Sequence, residues 1–371
     1  MKSMNASTDT QQARPKGIGF AVLAAVLFGL STPFAKMLLA HTPPVMIAGL
    51  LYIGSGLGLS ALYFIRRAKD EPPLPRKDYP WLAGAVFFGG ICAPVLLMVG
   101  LQLTTASTAS LLLNMEGVFT ALLAWFVFKE NFDKRIALGM ALIVAGGVVL
   151  SWHGANGFRL PLGALAVVGA CLCWGIDNNL TQKVSASNPY QTAAIKGAVA
   201  GTVNLTIALS LGAKLPPFPV IGAALLVGFV GYGLSLALFV MALRHIGTAR
   251  TGAYFAMAPF VGAIVSLVLL HEPIGVLFLV AAAFMAGGVW LHLTEKHEHS
   301  HTHEHLEHSH SHVHDEHHRH EHAPGTDLTE PHTHEHIHEP MTHSHAHYPD
   351  IHHRHTHVTG AADTKLLPKE I

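Results

Sequence analysis

Ten apolar stretches, each about as long as a bilayer's hydrocarbon core is thick, occupy most of the first 293 residues and leave few folds open. They run near 18 to 40, 44 to 65, 80 to 102, 105 to 128, 135 to 152, 161 to 182, 189 to 212, 218 to 243, 248 to 271 and 273 to 293. A spanning helix needs about 20 apolar residues. Barrel strands are shorter and alternate in polarity, whereas these stretches are long and continuously apolar. Lipid offers no partner to a backbone N–H or C=O, so each crossing must satisfy its own ladder as a helix. Half of the chain is hydrophobic and 12% is charged, with many of the charges in the tail and the terminal arms. The expectation is an all-α integral membrane protein with ten transmembrane helices.

Lys and Arg collect in alternate loops. With the N-terminus inside, Arg14 and Lys16, then Arg66, Arg67, Lys69, Arg76 and Lys77, then Lys129, Lys134 and Arg135, then Lys183, then Arg244 and Arg250 fall on or near the cytoplasmic side, against Arg159 and Lys214 opposite. Ten crossings return the C-terminus to the cytoplasm, in an inner or plasma membrane. The first stretch carries Lys36 and has no small-residue cleavage site before the next span, so it reads as retained rather than as a secretory signal. Cys92, Cys171 and Cys173 all fall inside spans and read as packing residues, too few for a thiolate site or a disulfide framework. No basic patch interleaved with aromatics points to nucleic acid. His153, His245 and His292 lie near span ends and His41 and His271 in outer turns; with no catalytic set and no phosphate-cradling loop, an enzyme is not expected.

The chain repeats itself once. Aligning Glu130 with Glu272 sets LTTASTASLLLNMEGVFTALLAWFVFKE beside RHIGTARTGAYFAMAPFVGAIVSLVLLHE, and with one gap Gly146 and Gly147 meet Gly287 and Gly288. Near the start of each half, Phe28, Gly29 and Lys36 correspond to Trp174, Gly175 and Lys183. Five spans per unit is odd, so the two units insert in opposite orientations as an inverted repeat, with Glu130 at the cytoplasmic face and Glu272 at the outer face. The small-polar entry, Gly117 or Pro259 in mid-segment, the closing Glu130 or Glu272 and the trailing glycine pair resemble the EamA repeat of the drug/metabolite transporter superfamily, over residues 18 to 293. The resemblance implies a ten-helix secondary transporter or exporter of small metabolites. The chain then divides into a cytoplasmic arm (1–17), a first repeat (18–152), a second repeat (153–293) and a tail (294–371). Gly117 stands where the second repeat has Pro259, so a kink is expected in the second repeat and less so in the first.

Ionisable groups at membrane depth are costly unless paired or hydrated, which makes each a functional candidate. Glu116 lies near the middle of the fourth span and aligns with Ala258. It reads either as a protonatable group or counter-charge for a cationic or zwitterionic solute, or as a neutral carboxyl hydrogen-bonded between helices. Ser107, Ser110, Asn114 and Gly117 share one helical face, and Glu116 lies off it. Trp174, Asp177 and Thr181 share another, beside the amides of Asn178 and Asn179, at three- and four-residue spacing. Lys196 reads either as an ion-pair partner of Asp177 or as a snorkelling side chain. Lys36 and Lys183 read as snorkelling, and Glu130 and Glu272 as helix-terminal structural residues. The spacings Gly54 with Gly58 and Gly197 with Gly201 mark close helix contacts. The expected substrate site is Asn114, Glu116, Trp174, Asp177, Asn178, Thr181 and Lys196, with Glu116 or Asp177 as the titrating group and a proton as the coupling ion.

Of 29 histidines, 24 fall at or after His297. Imidazole suits Zn, Ni, Co and Cu, and His299, His301, His303, His305, His310, His312, His314, His332, His334, His336 and His338 stand as candidate ligands of a divalent metal. Interspersed Asp and Glu add oxygen ligands. The tail has few apolar residues and reads as disordered. Four roles remain open for it: serving a metal or metal-chelate exporter, tuning a metabolite transporter, sensing pH through imidazoles that titrate near ~6.5, or solvating the terminus. The composite expectation is a secondary transporter that moves a small polar solute across a lipid bilayer by alternating access and needs no cofactor. A transition-metal exporter and a membrane-anchored metal or pH sensor are the alternatives; substrate and oligomeric state are not readable.

Overall fold

The structure is a computed structural model that describes residues 6–66, 74–128, 134–152, 162–184, 188–294, 297–302, 306–312, 332–338 and 342–347. Up to Thr294 the described backbone is built of helices: α1 (Ala6–Leu38), α2 (Pro44–Arg66), α3 (Tyr79–Ala85), α4 (Ala93–Leu103), α5 (Ala106–Leu112), α6 (Met115–Phe128), α7 (Lys134–Leu150), α8 (Leu162–Lys183), α9 (Pro189–Ser210), α10 (Phe218–Val227), α11 (Ser235–Phe255), α12 (Ala258–Leu269) and α13 (Val276–Leu293). A π turn, Val86–Cys92, joins α3 to α4, and another, Gly228–Leu234, joins α10 to α11. The two π turns are separated by the same interval as Glu130 and Glu272, so the third span of each half carries the same irregularity.

Among the described residues eight stretches are long and apolar enough to cross a membrane: Lys16–Leu38, Pro44–Ile65, Arg76–Leu103, Ala106–Val127, Leu162–Thr181, Tyr190–Ser210, Phe218–Leu243 and Arg250–Leu269. Ten were expected. The other two, Arg135–Leu150 and Val276–His292, are apolar but shorter; at 1.5 Å per residue they fall short of the ~30 Å hydrocarbon core. They lie against each other through glycine, since a Cβ at Gly139 would sit 2.9 Å from the Gly288 carbonyl and one at Gly288 only 2.5 Å from the Gly139 carbonyl.

The core gathers Leu51, Leu97, Met98, Leu101, Leu111, Leu112 and Ile143, while Leu57, Phe64, Phe126, Leu226 and Val268 are exposed on the rim. Lipid removes the hydrophobic gain from helix association, so close approach of small residues takes its place. The α2–α9 contact uses Gly56 against Gly197 and Ala198, and Gly201 against Ile53. Gly54 and Gly58 instead face Leu225 and Phe229. The paired spacings were legible, though two glycines of one motif serve a different neighbour from the other two.

Both mid-segment positions break. Pro259 lacks an N–H and its ring excludes the carbonyl four residues back, so α11 ends at Phe255 and α12 begins at Ala258. The first repeat breaks at the aligned place without proline: α5 ends at Leu112, Asn114 donates from its side-chain amide to the Leu111 carbonyl at 2.8 Å, and α6 starts at Met115. A side chain bonded to its own backbone competes with the helix ladder. The first repeat, where a kink was less expected, is therefore interrupted as the second is.

One further break has no counterpart. Thr104 and Thr105 are extended between α4 and α5, whereas α11 runs unbroken through the aligned Ile246 and Gly247. The Lys36 ammonium, expected to snorkel, donates to the carbonyls of Leu101 and of Thr104, the latter at 2.8 Å, and so caps the last turn of α4.

In the tail, four segments are strands: β1 (His297–Thr302), β2 (Leu306–His312), β3 (His332–His338) and β4 (Thr342–His347). β1 pairs antiparallel with β4 and β2 with β3, in one common register. Disorder is the expectation for the tail; in these four stretches histidine alternates with other residues at the period of a strand. His303, His305 and His314 lie outside the described residues, as do Glu130 and Lys129.

Candidate functional site

α8 brings its polar residues to the π turn of the third span. In that turn the ladder widens to five residues, with Ala93 N–H donating to the Phe88 carbonyl, and the two glycine carbonyls accept from side chains. Gly89 O takes the Tyr52 hydroxyl at 2.7 Å and the Trp174 indole N–H at 3.1 Å; Gly90 O takes the Asn204 amide at 3.2 Å. A buried carbonyl left without a partner would cost ~1–3 kcal/mol, so Tyr52, Trp174 and Asn204 hold the π turn in place.

Asp177, one turn beyond Trp174, lies against the same turn. A Cβ added at Gly89 would come within 2.0 Å of Asp177 Oδ2, so only glycine leaves room for the carboxylate. Its Oδ2 is ion-paired with the Lys196 ammonium of α9, and its Oδ1 accepts from the Thr181 hydroxyl at 3.1 Å. The side chains are 6% and 20% exposed, Asp177 first. Of the two readings of Lys196, the pair is the one formed. The Lys196 stem passes the π turn beside Tyr52: a Cβ at Gly90 would lie 3.6 Å from both Lys196 Cγ and Tyr52 Cε1.

The next residue on α8 reaches the fourth span. Asn178, exposed, donates to Glu116 Oε1 at 2.9 Å and to the Thr120 hydroxyl at 3.2 Å. Asn179 donates to the carbonyls of Gly175 and Thr120 at 2.8 and 3.2 Å. Glu116, in the first turn of α6, is thus fastened to α8 beside the ion pair and is half-buried. Six of the seven expected residues, Glu116, Trp174, Asp177, Asn178, Thr181 and Lys196, fall into these adjoining networks. Asn114 does not join them; its amide is bonded to Leu111.

Sequence reasoning passed over Tyr52, Gly89, Thr120 and Tyr232. Tyr232, in the second π turn, packs 5.8 Å from the Tyr52 ring and 5.7 Å from Phe28, centroid to centroid. The Gly89-Gly90 dipeptide inside an otherwise bulky span was the available signal. Among the described residues no group of three or more His, Cys, Asp or Glu is placed to hold a metal ion, and the imidazoles of the tail lie outside the described side chains.

The arrangement offers an acceptor, Asp177, and a donor, Lys196, of opposite charge, with a second carboxylate, amides, a hydroxyl and aromatic rings around them. The sequence profile of the EamA-like transporter family matches residues 15–152 and again 161–294. An uncharacterised transporter of Methanothermobacter thermautotrophicus is 31% identical over 73% of this chain and 84% of its own length. A probable amino-acid metabolite efflux pump of Salmonella typhimurium is 25% identical over 74% of this chain and 93% of its own. One solved crystal structure, 16% identical, shares the fold with a TM-score of 0.56 over 74% of this chain and 95% of that one.

Proposed function

Because the chain belongs to the EamA-like transporter family, we propose that it exports a small zwitterionic metabolite of the amino-acid class, by alternating access between two inverted five-helix units, with α7 and α13 completing ten spans in the inner or plasma membrane and both termini cytoplasmic. The observation that carries this reading is the buried Asp177–Lys196 pair with Glu116 alongside. A substrate ammonium competes for Asp177 or Glu116 and a substrate carboxylate for Lys196, so binding replaces an internal ion pair by two external ones and frees α8 from α9. A proton on Glu116 or Asp177 is the coupling ion. The name of the Salmonella relative agrees with the substrate class.

The tail is a divalent-metal module appended to that transporter. The strand register sets His297 opposite His347, His299 opposite His345, His301 opposite His343, His308 opposite His336, His310 opposite His334 and His312 opposite His332, and directly opposed residues have Cβ atoms about 5 Å apart. Sites made by opposed histidines obey a simple rule in zinc or nickel titrations of the full chain. Changing the three β1 histidines to Asn, or the three β4 histidines, removes the same capacity, and combining the two sets removes no more. Additive loss per histidine, whichever ones are changed, would count against paired sites.

Thermal unfolding of the purified protein, full length and cut after Lys296, against divalent metals and against amino acids and other small metabolites, tests the function. An amino acid is expected to raise the midpoint of both forms, and a metal only that of the full chain. A metal that stabilises the truncated bundle, with no metabolite doing so, would replace this reading by metal export.

A further inference from the structure

The unmatched break between α4 and α5 is held by opposite charges. Helix ends expose unpaired carbonyls and amides carrying the partial charges of the macrodipole. At the carbonyl end of α4 sits the Lys36 ammonium, bonded to Leu101 O and Thr104 O. At the amide end of α5, the Glu272 carboxylate accepts from Ala106 N–H at 2.7 Å and Ser107 N–H at 2.9 Å, while the Thr105 hydroxyl takes Thr108 N–H at 3.3 Å. Glu272 belongs to the second repeat and follows His271, just past α12, which adopts φ 52. A left-handed backbone is uncommon for a residue with a Cβ and persists where the surroundings enforce it.

Behind this contact α1, α5 and α12 meet without a gap. A Cβ at Gly29 would lie 2.5 Å from the Ala258 carbonyl, and one at Gly262 would lie 2.9 Å from both the Gly29 carbonyl and the Ser110 hydroxyl. Yet the seam is polar. Ser107 and Ser110 of α5 and Ser266 of α12 are all buried, and Ser110 Oγ, fully buried, has no hydrogen-bond partner. A buried hydroxyl without a partner is costly to keep dry, and it gains water if the seam parts.

We infer that Lys36, Glu272 and the Thr104–Thr105 break form a clasp between the two repeats that closes one end of the transport path, and that it opens to wet the Ser110 seam once in each cycle. This rests on the transporter reading but names no substrate. The clasp is released by drawing Glu272 from the α5 amides and Lys36 from the α4 carbonyls, and its strength sets how often that end opens.

Cysteine accessibility tests it without a substrate. In a background with Cys92, Cys171 and Cys173 changed to Ala, Ser110→Cys in the purified full chain reports the seam and Ala224→Cys, fully buried in α10, reports general loosening. Ser110→Cys is expected to react slowly with a small maleimide. Adding Glu272→Gln or Lys36→Gln should raise its rate roughly tenfold or more, as loss of a charge-assisted hydrogen bond implies, while Ala224→Cys stays unreactive. An unchanged rate at Ser110→Cys overturns the clasp, and so does a parallel rise at Ala224→Cys, which would make the two charges structural caps alone. Absence of amino-acid efflux alongside the expected labelling would fault the substrate and leave the clasp standing.

Discussion

Asp177→Asn is expected to stop efflux and to lower stability by about 3 kcal/mol, because removing one member of a buried ion pair strands the other charge. Lys196 keeps some contact with solvent, which places the cost at the low end of the range for such pairs. The double variant Asp177→Asn with Lys196→Met removes both charges, and its stability should return to within about 1 kcal/mol of the parent. Efflux should not return, since both proposed contacts to substrate are gone. Glu116→Gln keeps an oxygen for Asn178 to bond and is expected to fold as the parent does while losing efflux. Unfolding midpoints together with efflux of a stabilising amino acid from loaded proteoliposomes separate these cases. Full transport by the double variant would show the pair to be a structural element that takes no part in translocation.

Gly228→Ala is expected to destabilise the bundle by about 3 kcal/mol, the upper end for overpacking. The new methyl would lie 2.0 Å from the Leu51 carbonyl, and the reciprocal Gly54→Ala would put one 2.2 Å from the Leu225 carbonyl. Both obstacles are backbone, so no rotamer change relieves them and α2 must move away from α10 and the second π turn. Gly222→Ala, one and a half turns earlier in α10, meets nothing within 4 Å and should stabilise by a few tenths to ~1 kcal/mol through helix propensity. Thermal unfolding of the three variants should therefore give two large losses and a small gain. Equal behaviour of Gly228→Ala and Gly222→Ala would mean that α2 and the π turn do not meet backbone to backbone.

Much of this was legible because lipid leaves the chain so few choices. Continuous apolar runs gave the helices. The spacing of Trp174, Asp177 and Thr181 gave a face, since α8 is regular throughout, and a carboxylate and an ammonium at membrane depth had strong reason to meet. Regularity failed elsewhere. The face drawn through Ser107, Ser110, Asn114 and Gly117 presumed one helix, but the interruption after Leu112 resets the phase, and Asn114 spends its amide on the break itself. Hydropathy is blind to the π turns, whose residues are as apolar as their neighbours, so the Gly89 and Gly90 carbonyls and the roles of Tyr52 and Asn204 were hidden. Lys36 lies near a span end, which suggests snorkelling, but the exposed carbonyls of α4 are the nearer attraction. The fifth and tenth stretches were apolar enough but yielded helices shorter than the others, a matter of where each ends.

A π turn is an α-helix with one residue too many, and the surplus says something about ancestry. The segments VFFGGIC and GFVGYGL share a phenylalanine and a glycine, Phe87 with Phe229 and Gly89 with Gly231, and carry the same surplus at the same point of each repeat. A single insertion in a gene for one five-helix unit, followed by duplication, accounts for both; two independent insertions at matching places would be needed otherwise. The partners around them differ, with Asp177, Trp174 and Asn204 gathered at the first π turn and an aromatic cluster at the second. Both halves thus carry the same widened helical turn, and the first surrounds it with charged partners.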